Sequence, residues 1–153
     1  MRALELKIPP PVVTVLIGGA MWFVARQSAS PQLSLMVRLA ASVAIALVGG
    51  TIALAAELEY RRARTTINPF KPERTTALIT SGMYRFTRNP IYVGLTLILL
   101  GWAAFLCSAW ALLGPVAFVL YIDRLQIAPE ERALAAKFGA AYTEYTARVR
   151  RWL

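Results

Sequence analysis

Two apolar runs, Ile91 to Leu106 and Ala109 to Ile122, are separated only by Cys107-Ser108. So short a connection makes neighbours in sequence neighbours in space, and the pair is predicted to form a tight antiparallel helical hairpin. Each run has about 14 to 16 residues, short of the roughly 20 that span a bilayer, so polar ends or local thinning must take up the difference. Two more runs precede them. Val12 to Ala25 holds Gly18-Gly19 and Trp22-Phe23, and Leu35 to Ala56 is interrupted only by Arg38. Gly49-Gly50 with Ala46 and Ala53 gives the second run a small-residue face for close helix contact. With 58% hydrophobic and 16% charged residues among 153, the chain is too apolar for a soluble domain of its size. The expected fold is all-α: one polytopic membrane domain over 1–153, with four transmembrane helices at 12–26, 35–56, 90–106 and 109–123. A cytoplasmic helical segment at 129–150 completes it.

Punctuation along the chain supports these limits. Pro9-Pro10-Pro11 closes the lead-in, and Ser28, Ser30 and Pro31 mark a turn. For Val12 to Ala25 a cleavable signal is the competing reading, but no small-x-small site follows in register and Arg26 comes directly after. Asn68-Pro69-Phe70-Lys71-Pro72 is predicted as a loop, and Gly114-Pro115 as a bend in the fourth run. Asn89-Pro90 suits a helix start, with Asn capping free backbone N–H groups and Pro at the first helical position. Pro129-Glu130-Glu131 is a second such start, its carboxylates where the helix dipole favours them.

Charge then orients the chain. The net charge of +9 comes from 17 basic residues set mostly in two segments beside apolar runs, a pattern that fits an anionic leaflet rather than nucleic acid. Seven of them, Arg61, Arg62, Arg64, Lys71, Arg74, Arg85 and Arg88, lie between Glu57 and Asn89, and six follow Asp123. The opposite side has little beyond Arg26 and Arg38, and Arg38 can snorkel to the interface. By the positive-inside rule both termini and the central loop are cytoplasmic, the membrane being the inner membrane of a bacterium. The chain has no histidine, which removes imidazole base catalysis and histidine metal sites. A single cysteine, Cys107, excludes an intramolecular disulfide and a cysteine-rich metal site, so no metal is expected.

Chemistry concentrates at one cytoplasmic face. Ser81 to Gly94 is polar, basic and aromatic, with Tyr84, Arg85, Arg88, Asn89 and Tyr92 opening directly into an apolar helix. The hairpin brings this stretch beside Glu130-Glu131 and the aromatics Phe138, Tyr142 and Tyr145. Each piece has a plainer reading: positive-inside arginines, interfacial tyrosines, dipole carboxylates, and Arg150-Arg151-Trp152 as a lipid anchor. Together, carboxylates, arginines and tyrosines at the mouth of an apolar bundle could hold a charged cofactor while a lipophilic substrate enters from the side.

In these residues the chain resembles the integral membrane methyltransferases typified by isoprenylcysteine carboxyl methyltransferase, which include phospholipid methyltransferases. The resemblance rests on Arg88-Asn89-Pro90-Ile91-Tyr92-Val93-Gly94, on Glu130-Glu131-Arg132-Ala133-Leu134, and on Phe138-Gly139-Ala140-Ala141-Tyr142-Thr143-Glu144-Tyr145 with Val149. It covers about Thr75 to Leu153. It implies an S-adenosylmethionine-dependent enzyme whose lipophilic or amphiphilic acceptor comes from the membrane. Arg88 and Glu130 would be catalytic, and Tyr84, Asn89, Pro90, Tyr92, Gly94, Glu131, Tyr142 and Tyr145 would shape the cofactor pocket. The isoprenylcysteine enzymes carry an arginine four residues before the paired glutamates; here Gln126 stands there, which leaves another amphiphilic or small lipophilic acceptor as open as a prenylcysteine carboxylate. Two alternatives stay open, an NADPH-dependent membrane reductase of related architecture and a non-catalytic membrane subunit.

Overall fold

The computed structural model describes residues 5–28, 33–63 and 75–153, and the proposed loop from Asn68 to Pro72 lies outside them. Six α-helices follow in order: α1 (Pro10–Ala25), α2 (Leu35–Arg62), α3 (Pro90–Leu106), α4 (Leu113–Ile122), α5 (Ala128–Phe138) and α6 (Ala140–Arg148). Short 3-10 turns at Gly82–Arg85 and Ala109–Leu112, and a π turn at Asp123–Ile127, complete the order. No strand occurs among the described residues.

Two helical stretches are long and apolar enough to cross a membrane, α2 with 28 residues and the rod Ala109–Phe138 with 30, which joins α4, the π turn and α5. The four-span expectation also needs α1 and α3, whose 16 and 17 residues rise only about 24–26 Å. The surface of α2 argues for lipid: Val43, Leu47, Val48 and Leu54 are all exposed. Water would not tolerate so broad an apolar face on a monomer.

The hairpin forms as the two-residue connection requires. α3 ends at Leu106, and Cys107 adopts the left-handed conformation (φ 52°, ψ 40°) that closes the helix and turns the chain into the Ala109–Leu112 turn. α3 is the centre. Its Gly94 and Gly101 lie against α2, where a Cβ on Gly94 would come within 2.5 Å of the Gly49 carbonyl oxygen and 2.8 Å of the Ala53 Cβ. α1 closes the other side, with the Trp102 indole donating to the Gly18 carbonyl at 3.0 Å and Met21 buried beside Gly114. Leu99, Phe118, Ile122 and Ile127 fill the space between.

Three local expectations need correction. Asn89 does not cap α3 with its side chain; its amide instead donates to the Arg151 carbonyl at 2.9 Å. Gly114-Pro115, the expected bend point, lies at a helix start instead of inside one: the Ala109–Leu112 turn passes into α4 there, and Pro115 falls in its first turn. The segment 129–150 is not one helix but two, divided at Gly139, whose φ of 51° favours glycine.

Candidate active site

The site is built around a defect in the long rod. Pro129 has no N–H to give the carbonyl four residues back, and its ring crowds that group, so the α pattern cannot run through Leu125 unchanged. The rod widens into the Asp123–Ile127 π turn there, and the Leu125 carbonyl is taken instead by the Leu6 backbone N–H at 3.0 Å. π turns of this kind recur at functional sites because they re-aim side chains. Here Gln126 is 2% exposed, and its amide donates to Glu130 Oε1 at 2.7 Å. The Tyr92 hydroxyl, one turn into α3, donates to the same oxygen at 2.8 Å.

Glu130 lies about two turns beyond Asp123, where the apolar stretch of the rod ends. Desolvation pushes its carboxyl up to about 7, against the two hydrogen bonds that favour the anion. Glu131 is different. Its carboxylate meets Arg88 at 3.2 Å and is gripped by both Nε and Nη2 of Arg151, a bidentate geometry that fixes orientation. Arg151 continues to Asp123 at 3.2 Å, and the Trp152 indole donates to the same carboxylate at 3.3 Å.

The C-terminal strand of chain is also held by its backbone. The Arg88 N–H donates to the Arg150 carbonyl at 2.9 Å, while Thr87 Oγ1 and the Asn89 amide donate to the Arg151 carbonyl at 3.2 and 2.9 Å. Three donors from consecutive residues thus fix the tail across the start of α3. The tyrosines wall this region: the Tyr145 hydroxyl donates to the Tyr84 carbonyl at 2.8 Å, and the Tyr60 and Tyr84 rings meet edge to face at 5.5 Å. Burial pushes the Tyr84 and Tyr145 hydroxyls up, and Tyr142 up to about 12, so all three are neutral donors at pH 7. Arg88 is paired with Glu131, yet its Nε is buried with no partner.

The structure therefore brings Arg88, Asn89, Tyr92, Glu130, Glu131 and Tyr142 into one cluster, with Tyr84 and Tyr145 behind it. Pro90 is buried as the first residue of α3. Gly94 is not in the cluster: it faces α2. Sequence reasoning missed Asp123, read Arg151 and Trp152 only as a lipid anchor, and met Gln126 only as a departure from a motif. The four-residue spacing of Gln126 and Glu130 could have exposed that pair. Arg151 carried no such signal, because a tail folding back over a helix start leaves no periodicity.

Half-buried carboxylates and arginines and buried tyrosines gather at one end of an apolar helical bundle. The chain belongs to the phospholipid methyltransferase family, whose pattern it matches over residues 37–141, more than half its length. The matched region runs from α2 into α6 and includes Arg88, Tyr92, Glu130 and Glu131. A relative from Haemophilus influenzae, described as an uncharacterized protein, is 48% identical over 63 residues, which are 41% of this chain and all of the relative. No solved structure matches the chain.

Proposed function

We propose that this protein is an integral membrane methyltransferase that uses S-adenosylmethionine and methylates a lipophilic or amphiphilic acceptor. One observation carries the reading. Within the segment matched to the methyltransferase family, a desolvated carboxylate, Glu130, precedes Glu131, and Glu131 pairs with Arg88, an arginine whose Nε is buried without a partner. S-adenosylmethionine carries cationic and carboxylate groups, and these two features are complementary to them. Glu130 would face its cationic part, where a carboxylate removed from water attracts a cation most strongly. The Arg88 Nε–H would donate to its carboxylate. The bound cofactor supplies an activated methyl group for in-line displacement, and the protein's task is alignment and exclusion of water.

The residues divide this work. Gln126 and Tyr92 fix the rotamer of Glu130 through two hydrogen bonds to one oxygen, leaving the second for a ligand. Glu131 is committed to Arg88 and Arg151, so its role is to hold the tail over the cluster. Asn89 does the same through the Arg151 carbonyl. Cytoplasmic placement of this end follows from the basic residues around it. The protein's N-terminal segment shares that end, since Glu5 pairs with Arg132.

Calorimetric titration of the detergent-purified protein with S-adenosylhomocysteine tests the reading without any knowledge of the acceptor. Micromolar binding in the parent protein, lost in Glu130→Ala with helical content retained, is expected. Binding of NADPH in place of S-adenosylhomocysteine would transfer the site to a reductase, and binding of neither would leave a scaffold without cofactor.

A further inference from the structure

The short segment before α1 meets the long rod at its defect. Leu6 lies only four residues before Pro10, the first residue of α1, and Pro9 between them is extended (φ −57°, ψ 136°). α1 is itself fixed on the bundle, by the Trp102 bond to Gly18 and by Met21 buried beside Gly114. A tether that short keeps Leu6 close to the helix start. It ends on the π turn, where the Leu6 N–H donates to the Leu125 carbonyl at 3.0 Å. Next to it, Glu5 pairs with Arg132 on α5.

Two features set this contact apart from an ordinary satisfied carbonyl. Leu6 has φ 56°, and among the described residues the only other non-glycine with positive φ is Cys107. Glycine adopts that conformation freely, whereas the leucine Cβ crowds the following carbonyl, so the conformation persists only where surrounding contacts enforce it. The second feature is what the bond replaces. In an α-helix residue 129 would donate to the Leu125 carbonyl, but Pro129 has no N–H. Leu6 brings the missing donor from outside the rod. One residue further along is Gln126, 2% exposed, whose amide donates to Glu130 Oε1 at 2.7 Å. The matched family pattern begins at residue 37, so Leu6 lies outside it.

We propose that Leu6 is a positioning residue: its backbone N–H replaces the one that Pro129 lacks, fixes the Asp123–Ile127 π turn and so keeps Gln126 aimed at Glu130. A Leu125 carbonyl left without this donor would draw the turn towards another partner, because buried backbone groups must be paired, and Gln126, next in sequence, would turn with it. The ion pair of Glu5 is secondary, since Arg132 is 58% exposed and such pairs hold weakly. That Glu130 then meets S-adenosylmethionine rests on the methyltransferase reading; the positioning of Gln126 and Glu130 does not.

Hydrogen exchange followed by NMR on the full 15N-labelled chain in detergent reads the positioning directly. The Leu6 backbone amide and the Gln126 side-chain amide are both monitored, and S-adenosylhomocysteine is titrated by calorimetry into the same samples. In the parent the Leu6 amide should exchange at least about 100-fold more slowly than an unbonded one. Leu6→Pro removes the donor, and should speed Gln126 exchange and weaken S-adenosylhomocysteine binding, each about tenfold. Leu6→Gly keeps the donor and relieves the strained φ, so both quantities should stay within about twofold of the parent, as they should in Glu5→Ala. Pro129→Ala restores an N–H inside the rod. In that background Leu6→Pro should have no further effect, a non-additivity that a general loss of stability would not produce. By reciprocity, saturating S-adenosylhomocysteine should slow Leu6 exchange in the parent by about the same tenfold factor, a measurement that needs no variant. An unprotected Leu6 amide, a Leu6→Pro protein indistinguishable from the parent, or additive effects of Leu6→Pro and Pro129→Ala would each overturn the proposal. If Gln126 exchange responds as expected while the parent binds no S-adenosylhomocysteine, the methyltransferase reading falls and the positioning role of Leu6 stands.

Discussion

The two ends of the bundle use the same residue types to different ends. Far from the tail, Arg38 donates its Nε–H to the Phe105 carbonyl at 2.7 Å and lies over the Phe105 ring, and Ser28 and Ser108 share a hydrogen bond of 2.8 Å. Arg26 rests on the Trp22 ring. The described contacts there are pairwise, and no carboxylate joins them. At the other end, Glu131 is shared by two arginines, Arg151 is shared by two carboxylates, and Arg88 keeps one buried N–H unused. Buried polar groups are normally satisfied, so an exception marks a place where the fold has reserved bonding capacity for something else. The far end closes helices; the near end gathers paired charges and leaves one arginine N–H without a protein partner.

The largest test of that contrast is Arg88→Ala. If the unused Nε–H receives a ligand carboxylate, S-adenosylhomocysteine affinity should fall by at least about 100-fold, roughly 2.7 kcal/mol, when it is lost. Calorimetry on detergent-purified protein checks this, and affinity within about threefold of the parent would break the distinction between the ends. Arg151→Ala should be milder. Glu131 keeps Arg88, but the bidentate grip on the tail is gone, so affinity should drop about tenfold. Tail opening is the cause, and the 148–153 segment should then become susceptible to limited proteolysis, which the parent resists.

How much of this was legible beforehand depended on the range of the interaction. The apolar runs announced the helices, and the two-residue connector at Cys107-Ser108 announced the hairpin, because both signals are local. Gly49 and Ala53 could be recognised as a contact face, but their partner Gly94 also sat inside a motif, and only packing shows that it serves α2. Arg88, Asn89 and the two glutamates stood out as a conjunction of motifs. Their division of labour did not. Adjacent in sequence, Glu130 and Glu131 face different neighbours because a helix turns about 100° per residue, and the π turn that sets their angle comes from Pro129, two positions upstream of Glu131. Arg151 is 20 residues from its partner Glu131, and Asn89 is 62 residues from the carbonyl it binds. Pairings of that separation are decided by tertiary folding.

pH separates the ends next, with an effect smaller than either substitution near neutrality. The Glu130 carboxyl is raised from 4.5 to about 7 by desolvation. Between these values the folded protein holds a proton on Glu130 that the unfolded chain has released, so the stability this one group contributes is fully present below about 4.5 and is lost as pH rises towards 7. Cation binding requires the opposite form. S-adenosylhomocysteine lacks the sulfonium but keeps an ammonium, and its affinity and that of S-adenosylmethionine should rise with pH up to about 7 and then level off. Glu130→Gln should flatten both profiles. Parallel trends of stability and affinity in the parent would remove Glu130 from the binding site.

The smallest expected effect belongs to the far end, and it is the control that gives the others meaning. Arg38→Met keeps an unbranched apolar stem but removes both the donor to the Phe105 carbonyl and the guanidinium over the Phe105 ring. That carbonyl is in the last turn of α3, where terminal carbonyls lack helical partners. A lost hydrogen bond costs about 1 kcal/mol, and thermal unfolding should register it as a drop of a few degrees in Tm. S-adenosylhomocysteine affinity should not move. If Arg38→Met weakens binding as much as Arg151→Ala does, the two ends are coupled through α3, and the contrast between them does not hold.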